Sequence, residues 1–240
     1  MRIALATRPR VLFLAMFAVA VIAFLPLRLA LGWGGLDARG FSARSVDGSL
    51  WSGRLTEARF GELALGDLDA RVSPLSLLIG RARIVLAGRD ADPERRLRGT
   101  VEVARHRAAV EDASGAIVPG NAFAPLPVTA LNLDGVGVRF VDGACDSAEG
   151  RVRAELSGDW LGQPLPGLVS GAARCDGGAL LLPLTSAAGN EGIALRLWAD
   201  GRYRVELRLA PADPVMAAKL EGAGFVADGA ARMLAVEGRF

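Results

Sequence analysis

From residue 34 onward, apolar and polar residues alternate with a period of two, the pattern of strands that bury one face. The alternation is clear in ELALGDLDARV, from Leu63 to Val72, and in GIALRLWADGRYRVELRLA near the C-terminus. Turn dipeptides such as Asp47-Gly48 separate the alternating segments. The pattern predicts a mostly β protein built on an antiparallel sheet, which we expect to be curved.

Two segments predict short helical turns within this β pattern. SPLSLLIG offers Ser73 as an N-cap, Pro74 at the first helical position and Gly80 as a stop. We expect this turn to fold its leucines back over one end of the sheet. DPVMAAKLEGAG has the same arrangement, with Asp213 as the cap and Gly222 as the stop.

A hairpin is predicted where Asp200-Gly201 separates two alternating segments between Trp198 and Tyr203. Asp-Gly is typical of a two-residue type I′ turn, which needs a positive φ at both central positions. The sequence therefore predicts a two-residue hairpin turn made by Asp200 and Gly201.

The N-terminus contains the one long apolar run of the chain. Residues 11–27 carry no charge over 17 positions, which as a helix is roughly 26 Å and close to the thickness of a hydrocarbon core. Three arginines precede this run within residues 1–10, and Arg28 alone follows it closely. By the positive-inside rule, 11–33 is predicted to be a single transmembrane anchor with a cytoplasmic basic N-terminus. The alternative is a cleaved signal peptide.

The remaining chain is long enough for a substantial core. A proline-rich connection at residues 119–128 interrupts the strand pattern and divides it into two β halves, residues 34–118 and 129–240. We expect both halves to lie in the periplasm, where they can share one sheet.

Cys145 and Cys175 are the only cysteines. Because the predicted topology exposes them to an oxidising compartment, we expect one disulfide between them. Closing a loop of this length stabilises a fold by roughly 3 to 4 kcal/mol. The alternative is a pair of unbonded, buried thiols.

Composition and motifs argue against several function classes. Basic residues number 28 and acidic residues 26, and arginines alternate with apolar residues along strands, so no basic patch for nucleic acid is predicted. The only histidine, His106, lies between arginines and has no metal-ligand or triad partners at the required spacing. Asp90, Asp92 and Glu94 lie in a polar loop, and no phosphate-binding glycine motif is present. We therefore expect neither catalysis nor a cofactor.

The segment DGSLWSGRL has a distinct pattern of glycines around one tryptophan. Gly48 predicts a turn, Trp51 is expected to point into the packed face of a strand, and Gly53 marks a close backbone approach or bulge. The alternative role of Trp51 is a hot spot for a binding partner.

Several segments together resemble the protein N family of the bacterial type II secretion system. They are GSLWSGRL, LALG, PLSLLIGR, the stretch 156–168 that contains Trp160 and Gly162, the stretch 200–211, and LEGAGF. The resemblance implies an inner-membrane anchor, a β-rich periplasmic domain and an accessory role in the secretion machine. It implies no catalytic residues.

The resulting hypothesis is a non-enzymatic accessory component that acts through protein–protein contacts in the export of folded proteins across the outer membrane. Its expected partners are other secretion components, in the inner-membrane platform or the secretin. The two terminal strands, near Leu50 and near Val236, are the candidate contact edges. The alternative hypothesis is a periplasmic lipid-binding or lipid-transfer module, which would need an open apolar sheet face.

Overall fold

The computed structural model describes residues 12–14, 16–17, 20–21, 24–33, 40–124, 128–160, 163–189 and 191–239. Within these residues, we find no helix that combines the length and apolar character needed to cross a bilayer. Part of the predicted anchor lies outside the described residues. The described residues between 12 and 21 are helical, and a short helix, Leu27–Trp33, follows them.

The elements follow the alternating pattern of the sequence. The helices are α1 Leu27–Trp33, α2 Pro74–Leu78 and α3 Pro214–Gly222. The strands are β1 Phe41–Ser42, β2 Ser45–Ser49, β3 Ser52–Phe60, β4 Leu63–Val72, β5 Ala82–Gly88, β6 Arg98–Ala104, β7 Arg107–Ile117, β8 Val128–Val141, β9 Ala144–Leu156, β10 Asp159–Trp160, β11 Gln163–Pro164, β12 Leu168–Ala172, β13 Arg174–Asp176, β14 Ala179–Thr185, β15 Gly192–Leu197, β16 Arg202–Leu209, β17 Val226–Asp228 and β18 Ala231–Arg239.

Sixteen of these strands form one antiparallel sheet that does not close on itself. Its order is β1-β3-β4-β5-β6-β7-β8-β9-β12-β14-β15-β16-β18-β17, with β2 beside β3 and β13 beside β14, while β10 and β11 pair separately. Neighbours in sequence are mostly neighbours in space, as short hairpin connections require. The predicted antiparallel β class is confirmed. Register shifts in β3, β7 and β8 mark bulges that locally bend their strands.

The sheet buries two apolar clusters. The smaller packs Leu27 of α1 against Leu55 and Leu68. The larger joins strands β7 to β16 and is covered by Leu220 of α3 and by Phe123. Leu220 is fully buried and is the one residue of α3 that is buried in the described structure.

The proline-rich connection contributes to the larger cluster. Phe123 is buried and meets the ring of Tyr203 edge to face, with centroids 6.1 Å apart. The Tyr203 hydroxyl donates a hydrogen bond to the carbonyl of Ala122 at 3.1 Å. Strand β8 begins at Val128, which is the last residue of the predicted connection. Because β8 pairs with β7, one sheet contains the strands on both sides of the connection.

Both predicted helical turns are present, but their details differ from expectation. Asp213 caps α3 by accepting a hydrogen bond from the Met216 N–H at 2.7 Å. Ser73 precedes α2 without a side-chain capping bond. Pro74 opens this helix, and Gly80, with φ +73°, follows its end as predicted. The expectation that α2 folds its leucines over the sheet is wrong, because α2 has no buried residue.

The hairpin at Asp200-Gly201 is a three-residue loop, so the two-residue prediction is wrong. The Trp198 N–H bonds the Arg202 carbonyl, and of the loop residues only Gly201 has a positive φ, +83°. A type I turn followed by such a glycine is the usual three-residue hairpin loop. Hydrogen bonds from the Arg202 backbone N–H and guanidinium lower the pKa of Asp200 below its ordinary value.

Candidate contact surfaces

The C-terminal edge of the sheet is partly uncovered. Strand β18 pairs along one side with β16 over Arg232–Arg239. On its other side, β17 reaches only Ala231–Met233. Within the described part of the chain, no strand pairs with the outer edge of residues 234–239, which we call the β18 edge. Unpaired backbone N–H and C=O groups of this kind are a template for another strand.

The side chains of the β18 edge hold the strand firmly to the sheet. Leu234 and Val236 lie opposite Leu207 and Val205 in the register and are half-buried. Glu237, which is exposed, pairs with the Arg204 guanidinium at 3.2 Å. The edge is thus a fixed strand with one free side rather than a loose tail.

The N-terminal edge near Leu50 is partly occupied by the chain itself. The Leu50 N–H donates to the Leu25 carbonyl at 2.9 Å, and Pro26 forms a bridge with Ser49 of β2. Residues at the C-terminal end of the apolar run therefore cover part of this edge. Of the two terminal strands named as candidate edges, the one near Val236 offers the longer free side.

Trp51 lies elsewhere than predicted. Ser49 pairs with Ser52, so Leu50 and Trp51 form the two-residue turn between β2 and β3. Trp51 is half-exposed and belongs to neither buried cluster. The expectation that it points into the packed face is wrong, because the turn falls three residues later than the Asp47-Gly48 dipeptide indicated.

The two glycines around this turn have separate roles. Gly48 has φ +91°, a conformation that favours glycine, and faces Gly53 across the hairpin. A Cβ on Gly53 would collide with the side chain of Leu27 in α1. Gly53 thus lets α1 pack directly on the sheet, the close approach that the sequence predicted.

Arginines on the polar face form cross-strand ion pairs. Arg83 of β5 lies 3.9 Å from Glu102 and 3.1 Å from Glu111 on successive strands. Near the other end of the sheet, Arg196 of β15 contacts Glu206 of the neighbouring β16 at 3.1 Å, and Arg204 contacts the same carboxylate from within β16 at 2.9 Å. The charges are mixed in sign along the face, and exposed pairs of this kind contribute little stability individually.

Cys145 and Cys175 are bonded to each other, with Cα atoms 5.5 Å apart, so the predicted disulfide is present. The bond joins β9 to β13. Strand β12 pairs with β9 only as far as Arg151, and β13 pairs with β14 instead. The disulfide therefore crosses a seam at which the backbone ladder is interrupted. One hydrogen bond flanks the seam on each side, from the Cys145 N–H to the Gly178 carbonyl and from the Ala173 N–H to the Gly150 carbonyl.

His106 lies in the turn between β6 and β7, where its Nδ1 is 3.1 Å from the Asp142 carboxylate. Both side chains are mostly exposed, at 71% and 72%. Among the described residues, no group of His, Cys, Asp and Glu side chains could hold a metal ion.

The carboxylates of the polar loop have structural partners. Asp90 accepts a hydrogen bond from the Asp92 backbone N–H, and Asp92 accepts one from the Glu94 N–H, both at 3.0 Å. These bonds shape successive turns of the loop and place the carboxylates in solvent.

The inner face of the larger cluster is filled by side chains of the protein. A cavity of about 20 Å³ remains among Phe123, Leu184, Leu195 and neighbouring residues. That volume holds about one water molecule and no acyl chain. A larger cleft, about 660 Å³, is lined mainly by polar side chains such as Arg98, Asn132 and Glu155. In this part of the sheet, the described side chains form a packed core.

The remaining predicted motif residues lie far from the β18 edge in sequence. Trp160 belongs to β10, which pairs with β11 in a separate two-stranded sheet. Gly162 lies outside the described residues. Among the described motif residues, Gly48, Trp51 and Gly53 lie at the β2–β3 turn, and Pro74 and Gly80 lie at the two ends of α2.

One family model, described as Type II secretion system (T2SS), protein N, matches residues 39–233. The match spans β1 to β17 and ends within β18, at the residue before the β18 edge begins. Comparisons with curated proteins and with solved structures found no match.

Proposed function

The chain belongs to the type II secretion system protein N family, and from this premise we propose that it is a non-enzymatic accessory component that acts by protein–protein contact. In this proposal the segment 11–33 carries the inner-membrane anchor, and residues 1–10 lie in the cytoplasm. The membrane span ends before Leu27, because Leu27 is buried against the sheet. Residues 34–240 stand in the periplasm, where they contact other secretion components of the inner-membrane platform or the secretin.

The exposure of apolar side chains near the N-terminus supports the anchor. Phe13, Phe17 and Phe24 are 70%, 60% and 81% exposed in the described structure. Large apolar side chains crowded on one segment indicate a buried interface or a membrane. The uncharged run of residues 11–27 and the arginines before it favour the membrane with the N-terminus inside.

The observation that carries the contact role is the β18 edge. A strand with one free side can add a strand from a partner through backbone hydrogen bonds. An anchor would confine this edge to the zone in which the secretion platform assembles, and confinement raises the effective concentration of a weak partner. No described cluster of side chains offers a competing catalytic site.

A secretion assay tests the proposal in cells that lack the native chain. The fraction of a type II substrate in the medium is measured after complementation with the wild type, with His106→Ala, and with residues 1–33 replaced by a cleaved signal peptide. We expect His106→Ala to secrete normally and the anchor-free form to be impaired. Loss of secretion by a folded, normally abundant His106→Ala protein would contradict the non-enzymatic role.

Val236→Pro tests the β18 edge in the same assay. Proline removes one backbone N–H and disfavours strand pairing, so we expect impaired secretion. Circular dichroism and retention of the Cys145–Cys175 bond must show that the variant is folded. Normal secretion by the folded variant would count against the edge as a contact surface.

A further inference from the structure

We propose that one end of the sheet is a membrane-docking surface that seats in the periplasmic leaflet of the inner membrane. This surface consists of Leu50 and Trp51 in the β2–β3 turn and of Leu75, Leu78 and Ile79 in and after α2. The proposal rests on the anchor of the proposed function. It adds that the folded domain itself enters the lipid, which fixes its orientation on the membrane.

The leucines of α2 are the first observation. Leu75, Leu78 and Ile79 are 75%, 83% and 69% exposed, and Leu77 is 38% exposed. Beyond residue 40, the other large apolar residues that the described structure leaves exposed are single and separated, such as Val85, Val103 and Val226. A run of adjacent, exposed leucines on one short helix therefore stands apart from the rest of the domain surface. Such patches mark contact with a partner or a membrane.

The second observation is where α2 lies in the sheet. Gly53 of β3 pairs with Ala70 of β4, so the end of β4 lies level with the β2–β3 turn. Helix α2 begins two residues after Val72, where β4 ends. The exposed leucines and Trp51 are thus at the same end of neighbouring strands.

The third observation identifies the occupant. The Leu50 N–H bonds the Leu25 carbonyl, and residues 11–27 are the uncharged run proposed to cross the bilayer. The β2–β3 turn therefore lies directly where the chain would leave the membrane. A surface held at that exit meets lipid before any other partner, so the occupant that we infer is the bilayer.

The side chains of the surface suit the lipid interface. Trp51 has an amphipathic ring of the kind enriched at the level of lipid headgroups. Arg81 follows α2 directly, and its side chain is 49% exposed, although it lies 3.7 Å from Glu102. Exposed leucines at the same end of the sheet as a tryptophan supply the apolar face of an interfacial element.

Fluorescence quenching in vesicles tests the proposal with the full chain. Single variants Phe13→Cys, Ile79→Cys and Val226→Cys are labelled with an environment-sensitive fluorophore and reconstituted in phosphatidylcholine–phosphatidylglycerol vesicles. The chain's own cysteines are bonded and do not react. Val226 is the matched control, because it is a β-branched residue 66% exposed on the far edge of the sheet, against 69% for Ile79.

Lipids brominated on their acyl chains should lower the fluorescence of the label at Phe13. They should also lower that of the label at Ile79, which would lie at the headgroup–acyl boundary, and should leave the label at Val226 unchanged. Quenching at Phe13 without quenching at Ile79 would overturn the docking surface and leave the anchor intact. Absence of quenching at both would overturn the anchor and the surface together. A blue shift at Ile79 without quenching would show that protein, such as a second copy, covers it, and would also refute the proposal.

Discussion

Removal of the disulfide should destabilise the domain strongly and open the sheet at one place. The perturbation is the double variant Cys145→Ala with Cys175→Ala. The bond crosses the seam between β9 and β13, where neither strand pairs with the other. Without it, no ladder of backbone hydrogen bonds joins these two described strands, so the seam is the place at which we expect the first opening.

The magnitude follows from the length of the loop that the bond closes. The cysteines are 30 residues apart. The loss of chain entropy in the unfolded state for such a loop corresponds to about 3.6 kcal/mol at 25 °C. For a urea m-value of about 3 kcal/mol/M, the unfolding midpoint should fall by about 1.2 M.

Urea unfolding of the detergent-solubilised chain, followed by circular dichroism, measures the midpoint. Hydrogen exchange at the backbone amides measures the local opening, which should appear in β13 and in the first half of β9 before the rest of the sheet. Wild type treated with a reductant is the control and should match the double variant. A midpoint shift below about 0.3 M with an unchanged m-value would refute the stabilising role of the seam bond.

Three further predictions concern packing and charge. Gly53→Ala should destabilise the fold by about 1–3 kcal/mol, because its methyl group meets the leucine of α1, while Gly167→Ala, in open space, should change the unfolding free energy little. Leu220→Ala should cost about 2–5 kcal/mol and Val215→Ala, exposed on the same helix, less than about 0.5 kcal/mol, as urea unfolding would show. The lowered pKa of Asp200 means that its carboxylate stabilises the fold above the unfolded-state value of 3.8 and stops doing so as the pH falls through its folded-state pKa. Asp200→Asn should therefore lower the urea midpoint at pH 7 and lower it less as the pH falls below 3.8, and an equal loss throughout would show that the carboxylate charge is not the cause.

Much of the fold could be predicted, because the alternation of apolar and polar residues is a property of any strand that buries one face. Each alternating segment became a strand, and the two Pro-initiated turns became helices α2 and α3. The disulfide was predictable from compartment and cysteine count alone. These features depend on local pattern, which a single sequence contains.

The misplaced features depend on neighbours that the sequence does not show. Trp51 was assigned to a strand because the DG dipeptide resembled the turn, whereas β2 runs through Gly48 and turns at Leu50 and Trp51. The leucines of α2 were expected to pack because apolar residues usually do. Their exposure arises because α2 lies beyond the end of β4, where none of the described elements buries a residue of it.

The most direct test of the contact role is site-specific photo-cross-linking in secreting cells. A photoreactive residue is placed at Ala235 in the β18 edge, and at Val85 as a control. Val85 is an exposed strand residue in β5, which has a paired strand on both sides. The account predicts a cross-link from Ala235 to another type II secretion component and none from Val85. No cross-link from Ala235 in cells that secrete normally, or equal cross-linking from Val85, would contradict it.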